Sequence, residues 1–282
     1  MAARSTPDAA PGEAGPRSPS LREEVAGRDW YHTLELGDGI VTPGWFDTRG
    51  LTAKLPMPAG LHGKRCLDIG TYDGFWAFEM ERRGGEVTAI DILDDTRWDW
   101  PANASDAHRE AIEQRKGRGD GFLIARRALG SAVVRLDCSI YDLDPAVHGR
   151  FDFVFVGSLL LHLRDPVLAL ERVRAVTRGQ LLILDAVALG LTLLGPRSPW
   201  MAFYGDGRPY WCKPNRAALG RMAQAAGWQY ASPPRLILIP AGPGFHHPQR
   251  LWSACLSARG REALFGSRVG DPHAVLLVEP AG

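Results

Sequence analysis

From residue 64 onward, short apolar runs alternate with longer amphipathic stretches. "RCLDIG" (65–70) is apolar until it closes on Asp and Gly, the pattern of a strand buried on both faces. "GFWAFEMERRGG" (74–85) predicts a helix stopped by paired glycines. "EVTAID" (86–91), "AVVRLD" (132–137), "FDFVFVG" (151–157) and "QLLILD" (180–185) predict four more strands. Helical patterns lie between them. The segment 107–130 is helical with a Gly-rich break, and "DPVLALERVRAVTRG" (165–179) has Asp165 as N-cap, Pro166 at N1 and Gly179 near its end. Beyond the fifth strand, "NRAALGRMAQAAG" (215–227) predicts a helix. "RLILIP" (235–240) and "RLWSACLSA" (250–258) predict two strands joined by a short loop, paired antiparallel. Strands alternating with helices imply an α/β, Rossmann-like, doubly wound and mostly parallel sheet, here of seven strands with right-handed crossovers.

The pattern is absent from the N-terminus. Residues 1–20 are mostly Ala, Pro, Gly, Ser and Arg without apolar period, and are expected to form a disordered tail. Residues 21–63 place aromatic residues between turn formers, as in "DWYHTLELGDGIVTPGWFDTRG", and are expected to pack on the sheet domain as a lid or substrate segment. Residues 64–282 then form the main domain, with an insertion at 186–213.

Composition narrows the function classes. Lys+Arg 33 against Asp+Glu 32 leaves +1, which removes a polybasic nucleic-acid or lipid binder. Cys66, Cys138, Cys212 and Cys255 form no C-x-x-C, so neither a zinc ribbon nor a disulfide scaffold is expected, and no metal. A reducing, cytoplasmic setting fits. The longest apolar stretch, 181–195, contains Asp185 and is too short to span a bilayer, so no membrane role is expected.

In an open parallel sheet, ligands sit beyond the carboxyl ends of the strands. Those ends read Asp68-Ile69-Gly70-Thr71-Tyr72-Asp73-Gly74, then Asp91-Ile92, then Asp137-Cys138, then Gly157-Ser158. A dinucleotide needs G-x-G-x-x-G, so that backbone N–H groups can approach a pyrophosphate. Here Asp68 and Asp73 stand in that loop instead. Two carboxylates repel a pyrophosphate and attract a cation, such as the ammonium and sulfonium of S-adenosylmethionine. Asp91, about 20 residues further on, stands where an acid accepts both ribose hydroxyls. Ile92 is placed to cover adenine, and Asp137 with Cys138 to read its edge.

With these strand ends in order, the segment from Lys64 to Asp185 resembles a class I S-adenosylmethionine-dependent methyltransferase. "WYHTLELGDGIVTPGWFD", "FVGSLLLHLRDPVLALERV" and "YWCKPN" more closely resemble the family that holds the tRNA wobble-uridine carboxymethyltransferase and its relatives. The resemblance implies S-adenosylhomocysteine as product. Two departures matter. Tyr72 replaces the middle glycine of the usual D-x-G-x-G-x-G loop, and its side chain must point away or close over the cofactor. Leu161 stands where the carboxymethyl enzyme places a tyrosine for its cofactor's extra carboxylate. Plain S-adenosylmethionine is therefore expected.

For catalysis, His162 follows the fourth strand and His32 lies in the aromatic N-terminal segment; either imidazole is suited to take a proton from an acceptor. Tyr31, Trp45, Trp98, Trp211 and Asn215 are the candidate acceptor contacts. Near-zero charge and an aromatic cover favour a small, biosynthetic acceptor methylated on oxygen or nitrogen. A tRNA acceptor, on the family resemblance, is the alternative; the sequence leaves oligomeric state open.

Overall fold

The computed structural model describes residues 19–116, 119–245 and 258–282. Most of the expected tail, all but the last residue of the strand expected at 250–258, and Cys255 therefore lie outside the described residues.

The chain begins with helix α1 (Leu21–Ala26) and two short strands, β1 (Trp30–His32) and β2 (Gly44–Phe46), which pair parallel with Trp30 opposite Gly44. A side chain at Gly44 would lie 2.1 Å from the His32 carbonyl carbon, so the pairing needs glycine there. The sheet domain follows with β3 (Arg65–Ile69), α2 (Phe75–Arg82), β4 (Glu86–Asp91), α3 (Asp106–Lys116), α4 (Asp120–Leu129), β5 (Val134–Asp137), α5 (Pro145–His148), β6 (Phe151–Gly157), α6 (Pro166–Val176) and β7 (Thr177–Ala186). Then come α7 (Leu189–Leu194), β8 (Met201–Phe203), β9 (Cys212–Pro214), α8 (Arg216–Ala225), β10 (Trp228–Tyr230), β11 (Arg235–Ile239), α9 (Ala258–Arg268) and β12 (Asp271–Pro280).

The main sheet runs β5-β4-β3-β6-β7-β12, with β10 and β11 both paired to the outer edge of β12. Among the described residues it therefore has eight strands in seven positions, one more than the sequence pattern implies. β3 to β7 are parallel, and β12 runs antiparallel to β7 with His273 opposite Ala186 and Val278 opposite Leu181. β11 pairs antiparallel with this last strand, Arg235 opposite Val275. α6 begins as expected, with Asp165 accepting the Leu168 N–H at 2.9 Å, but it stops at Val176, and Gly179 lies inside β7.

The continuous apolar strands sort by parity onto two faces, because successive side chains point to opposite sides of the sheet. Phe153, Phe155, Leu182 and Leu184 face one cluster, with Phe75, Phe78 and Phe122 from α2 and α4. Val154, Val156, Leu181 and Ile183 face the other, with Leu170 and Val173 of α6 and Leu219 of α8. Trp30 and Leu34 belong to the first cluster, Trp30 at 1% exposure with its indole N–H on the Val25 carbonyl at 3.0 Å. The N-terminal segment thus packs against the sheet domain. Among the described residues, no helix is long and apolar enough to cross a membrane.

Candidate active site

Strand order reverses direction at β3 and β6, whose helices lie on opposite faces, and a crevice opens between their carboxyl ends. There the structure holds a cavity of about 520 Å³. Its walls come from the ends of β3, β4 and β6, the N-terminal segment, the insertion after β7, and the start of β12.

At the end of β3, Asp68 lines this cavity at 2% exposure. Its Oδ2 is buried and makes no hydrogen bond among the described residues. Burial pushes its carboxyl up to about 7, because the charged form loses water. Gly70 (φ 75°) and Tyr72 (φ 51°) continue the wall, Tyr72 with its ring 5.2 Å from that of Tyr31. The Tyr72 side chain therefore faces the cavity. A positive φ is costly for a residue with a Cβ, and Asp91 Oδ2 holds this bend by accepting the Tyr72 N–H at 2.9 Å.

Asp91 Oδ1 accepts the Ile92 N–H at 2.8 Å and the Lys116 ammonium at 2.5 Å. Lys116, which the sequence reading passed over, lies 4.7 Å from the centre of the Trp98 ring. Asp91, Ile92, Trp98, Lys116 and Cys138 all line the cavity. The Cys138 N–H is engaged with the Asp91 carbonyl at 3.0 Å, so Cys138 offers the cavity its side chain rather than a free backbone donor.

Three expected cofactor residues lie elsewhere. Asp73 does not border the cavity: its Oδ2 accepts the N–H groups of Tyr31 (2.9 Å) and His32 (2.8 Å), and its Oδ1 meets His32 Nδ1. With both oxygens committed, it anchors β1 to the loop. Gly74 (φ 94°) packs instead, since a Cβ there would fall 2.4 Å from the Phe78 ring. Asp137 is 42% exposed at its side chain and pairs with Arg97 at 2.9 Å, while accepting the Leu93 N–H.

Both candidate histidines reach the cavity, and each has its Nδ1 occupied. His32 points Nδ1 at Asp73 and stacks on Phe75 at 5.4 Å. His162 donates Nδ1–H to the Pro209 carbonyl at 2.6 Å, which fixes its tautomer and leaves the Nε2 lone pair. Burial lowers its pKa to about 4, so it stays neutral at ordinary pH.

Gly157 and Ser158 form the floor at the end of β6. Ser158 Oγ lies 2.8 Å from His273 Nε2, and His273 Nδ1 lies 3.3 Å from the Asp271 carboxylate. This order of groups resembles a nucleophilic triad. However, the N–H groups of Leu159 and Leu160, which would have to stabilise an oxyanion at Ser158, both donate to Asp185 Oδ2 at 2.9 and 2.8 Å. The chain of contacts is a polar floor rather than an acyl-transfer site.

Of the expected acceptor contacts, Tyr31, Trp45 and Trp98 line the cavity. Trp211 and Asn215 do not. The Trp211 indole N–H donates to the Asp99 carbonyl at 2.6 Å and its ring lies under the Arg164 guanidinium. Asn215 is fully buried; it caps α8 and donates to the carbonyls of Gly195 (3.1 Å) and Ser198 (2.8 Å). Both hold the insertion in place. The insertion contributes Tyr204, Arg208, Pro209, Tyr210 and Lys213 to the wall, and β12 contributes Asp271 and His273. The last two have their sequence signal in "HAVLLV" (273–278), an unbroken apolar run of the kind that marks a buried strand. No group of three His, Cys, Asp or Glu suited to a metal occurs among the described residues.

Residues 48–232 match the methyltransferase domain family. The chain belongs to that family. A search of curated proteins by sequence returns no match. Among solved structures, this methyltransferase is similar to the Burkholderia thailandensis 1,6-didemethyltoxoflavin-N1-methyltransferase, crystallised with 1,6-didemethyltoxoflavin and S-adenosylhomocysteine. Identity is 16%, over 83% of this chain and 78% of that one, with a TM-score of 0.51. It is also similar to the Synechocystis magnesium protoporphyrin IX methyltransferase with bound S-adenosylhomocysteine: 15% identity, 83% and 82% coverage, TM-score 0.49. Likeness at this identity concerns the fold, which is that of class I methyltransferases.

Proposed function

We propose that this protein transfers a methyl group from S-adenosylmethionine to an oxygen or nitrogen nucleophile of a small acceptor, leaving S-adenosylhomocysteine. The observation that carries this reading is the buried Asp68 Oδ2 at the crevice between β3 and β6, which makes no hydrogen bond among the described residues. A buried carboxylate oxygen without a donor is costly, and an ammonium group in the cavity removes that cost. Asp91, one strand over, is the acid for the ribose hydroxyls, with Lys116 yielding its place. Ile92 and Trp98 flank the space for adenine, beside Cys138.

When bound, S-adenosylmethionine supplies a sulfonium methyl as electrophile. The chain's own residues align the acceptor with it and exclude water. His32, oriented by Asp73, and His162, oriented by Pro209, each keep Nε2 as the ring nitrogen able to accept a proton from the acceptor. Apolar Leu161 in the cavity wall supports the plain cofactor over a carboxylated one, and a net charge of +1 favours a small molecule over tRNA. The small ligand named with the Burkholderia enzyme supports the same choice.

Calorimetric titration with S-adenosylhomocysteine tests the assignment. The wild-type protein binds, and Asp91→Ala weakens binding by about tenfold or more, the loss of about 1.4 kcal/mol of hydrogen bonding to the ribose. Absence of binding, or an unchanged affinity in Asp91→Ala, refutes it.

A further inference from the structure

We propose that the acceptor is an acid, a small molecule whose carboxylate or phosphate is seated by Lys213 and Arg208. The inference rests on the methyltransferase reading above and names the substrate class of that site. Lys213 lies in β9, half-buried, and Arg208 stands exposed in the turn between β8 and β9; both line the cavity. Among the described residues neither side chain has a carboxylate partner, whereas the cavity's third cation, Lys116, is paired to Asp91.

The carboxylates of this region make contacts of their own: Asp271 lies beside His273, Asp99 accepts from the Tyr141 hydroxyl (2.7 Å) and the Arg164 N–H (2.8 Å), and Asp185 accepts from Leu159 and Leu160. A half-buried ammonium with no carboxylate at ion-pair distance is unfavourable in an aromatic cavity, and an anion that arrives from outside supplies the missing contact. The Lys213 charge acts on His273 in the polar floor.

The cofactor also carries a carboxylate, and the sheet separates the two sources. Asp68 lies near the carboxyl end of β3, while His273 lies near the start of β12, three strand positions away along β3-β6-β7-β12. At the usual strand spacing that is about 14 Å. The ammonium and carboxylate of S-adenosylmethionine share one carbon, so an ammonium held at Asp68 keeps its carboxylate near β3, away from Lys213. Tyr210 and Trp45 in the same wall suit an acceptor with a flat ring.

The test uses the full chain saturated with S-adenosylhomocysteine and titrated at pH 7.5 with 4-hydroxybenzoate, phenyl phosphate and the neutral 4-hydroxybenzamide. At least one anion binds about tenfold or more tighter than the amide, one charge-assisted contact's worth. Lys213→Met removes that preference, Lys213→Arg restores it, and Arg208→Met weakens it less because Arg208 is exposed. Circular dichroism and an unchanged S-adenosylhomocysteine affinity show that each variant is folded. Equal binding of anions and amide, no binding of either anion, or a preference that survives both Met variants overturns the inference. A loss of S-adenosylhomocysteine affinity in Lys213→Met assigns the lysine to the cofactor's own carboxylate and also overturns it, leaving the methyltransferase reading intact. Failure of the wild type to bind S-adenosylhomocysteine sinks that reading instead.

Discussion

Replacing Asp73 by Asn separates positioning from cofactor binding. The carboxylate accepts two backbone N–H groups and faces His32 Nδ1, all within a site at 2% exposure. Asn keeps the shape and one acceptor oxygen but turns the other atom into an NH₂ donor. An NH₂ facing Nδ1 can be satisfied only if Nδ1 loses its hydrogen, so the imidazole takes the Nε2–H tautomer. Nε2 is then a donor and no longer accepts a proton from an acceptor. Hydrogen bonds to a charged group contribute about 1 kcal/mol more than neutral ones, so two of them put the loss at about 2 kcal/mol. For a chain of this size that lowers Tm by roughly 4–8 °C. Long-range proton–nitrogen NMR of the His32 ring reads the tautomer without any acceptor, and calorimetry reads S-adenosylhomocysteine affinity. The expected result is a flipped tautomer with affinity changed less than about threefold, because Asp73 does not border the cavity. If affinity collapses while the tautomer stays, Asp73 is a cofactor ligand and the reasoning is wrong.

Asp68 makes cofactor binding depend on pH. Its carboxyl is raised to about 7, so at pH 5.5 it is protonated in the free protein and must ionise to hold an ammonium. S-adenosylhomocysteine affinity therefore rises from pH 5.5 to 7.5 with proton release, and Asp68→Asn flattens the curve; a flat wild-type profile contradicts this. The same raised value means that the folded state binds the extra proton between about pH 4 and 7, so stability of the free protein falls as pH rises through that window, and Asp68→Asn removes the fall in a pH series of urea melts. Lys116→Met removes the cation that occupies Asp91 and is expected to tighten S-adenosylhomocysteine binding by about tenfold, the displaced pair no longer opposing the ribose; weaker binding would make Lys116 a cofactor contact. Leu276→Ala, at a fully buried position in β12, is expected to cost about 2–5 kcal/mol by urea denaturation, as a central strand requires.

The sheet was legible because a strand buried on both faces must be apolar throughout. "RCLDIG", "FDFVFVG" and "QLLILD" carry that mark, and their last residues lie at the cavity or beside it. The C-terminal strand carried it as well, in "HAVLLV", and with it went His273 and Asp271. The division of labour within the β3 loop was not legible. Asp68 and Asp73 are five positions apart around one strand-to-helix turn and are the same residue type, and nothing local distinguishes a ligand from an anchor. β1 decides between them by bringing two N–H groups and an imidazole from 41 residues upstream onto Asp73 alone. Arg97 likewise claims Asp137, and the N-cap of α8 claims Asn215.

What this sequence determined by itself is the run of apolar strands, the acids at their ends and hence the methyltransferase crevice, since periodicity and strand-end chemistry are local properties of the chain. What only the tertiary structure decided is which of those side chains stay free for a ligand. A polar group's availability depends on donors and charges that arrive from distant segments, and a buried carboxylate belongs to whichever of them reaches it.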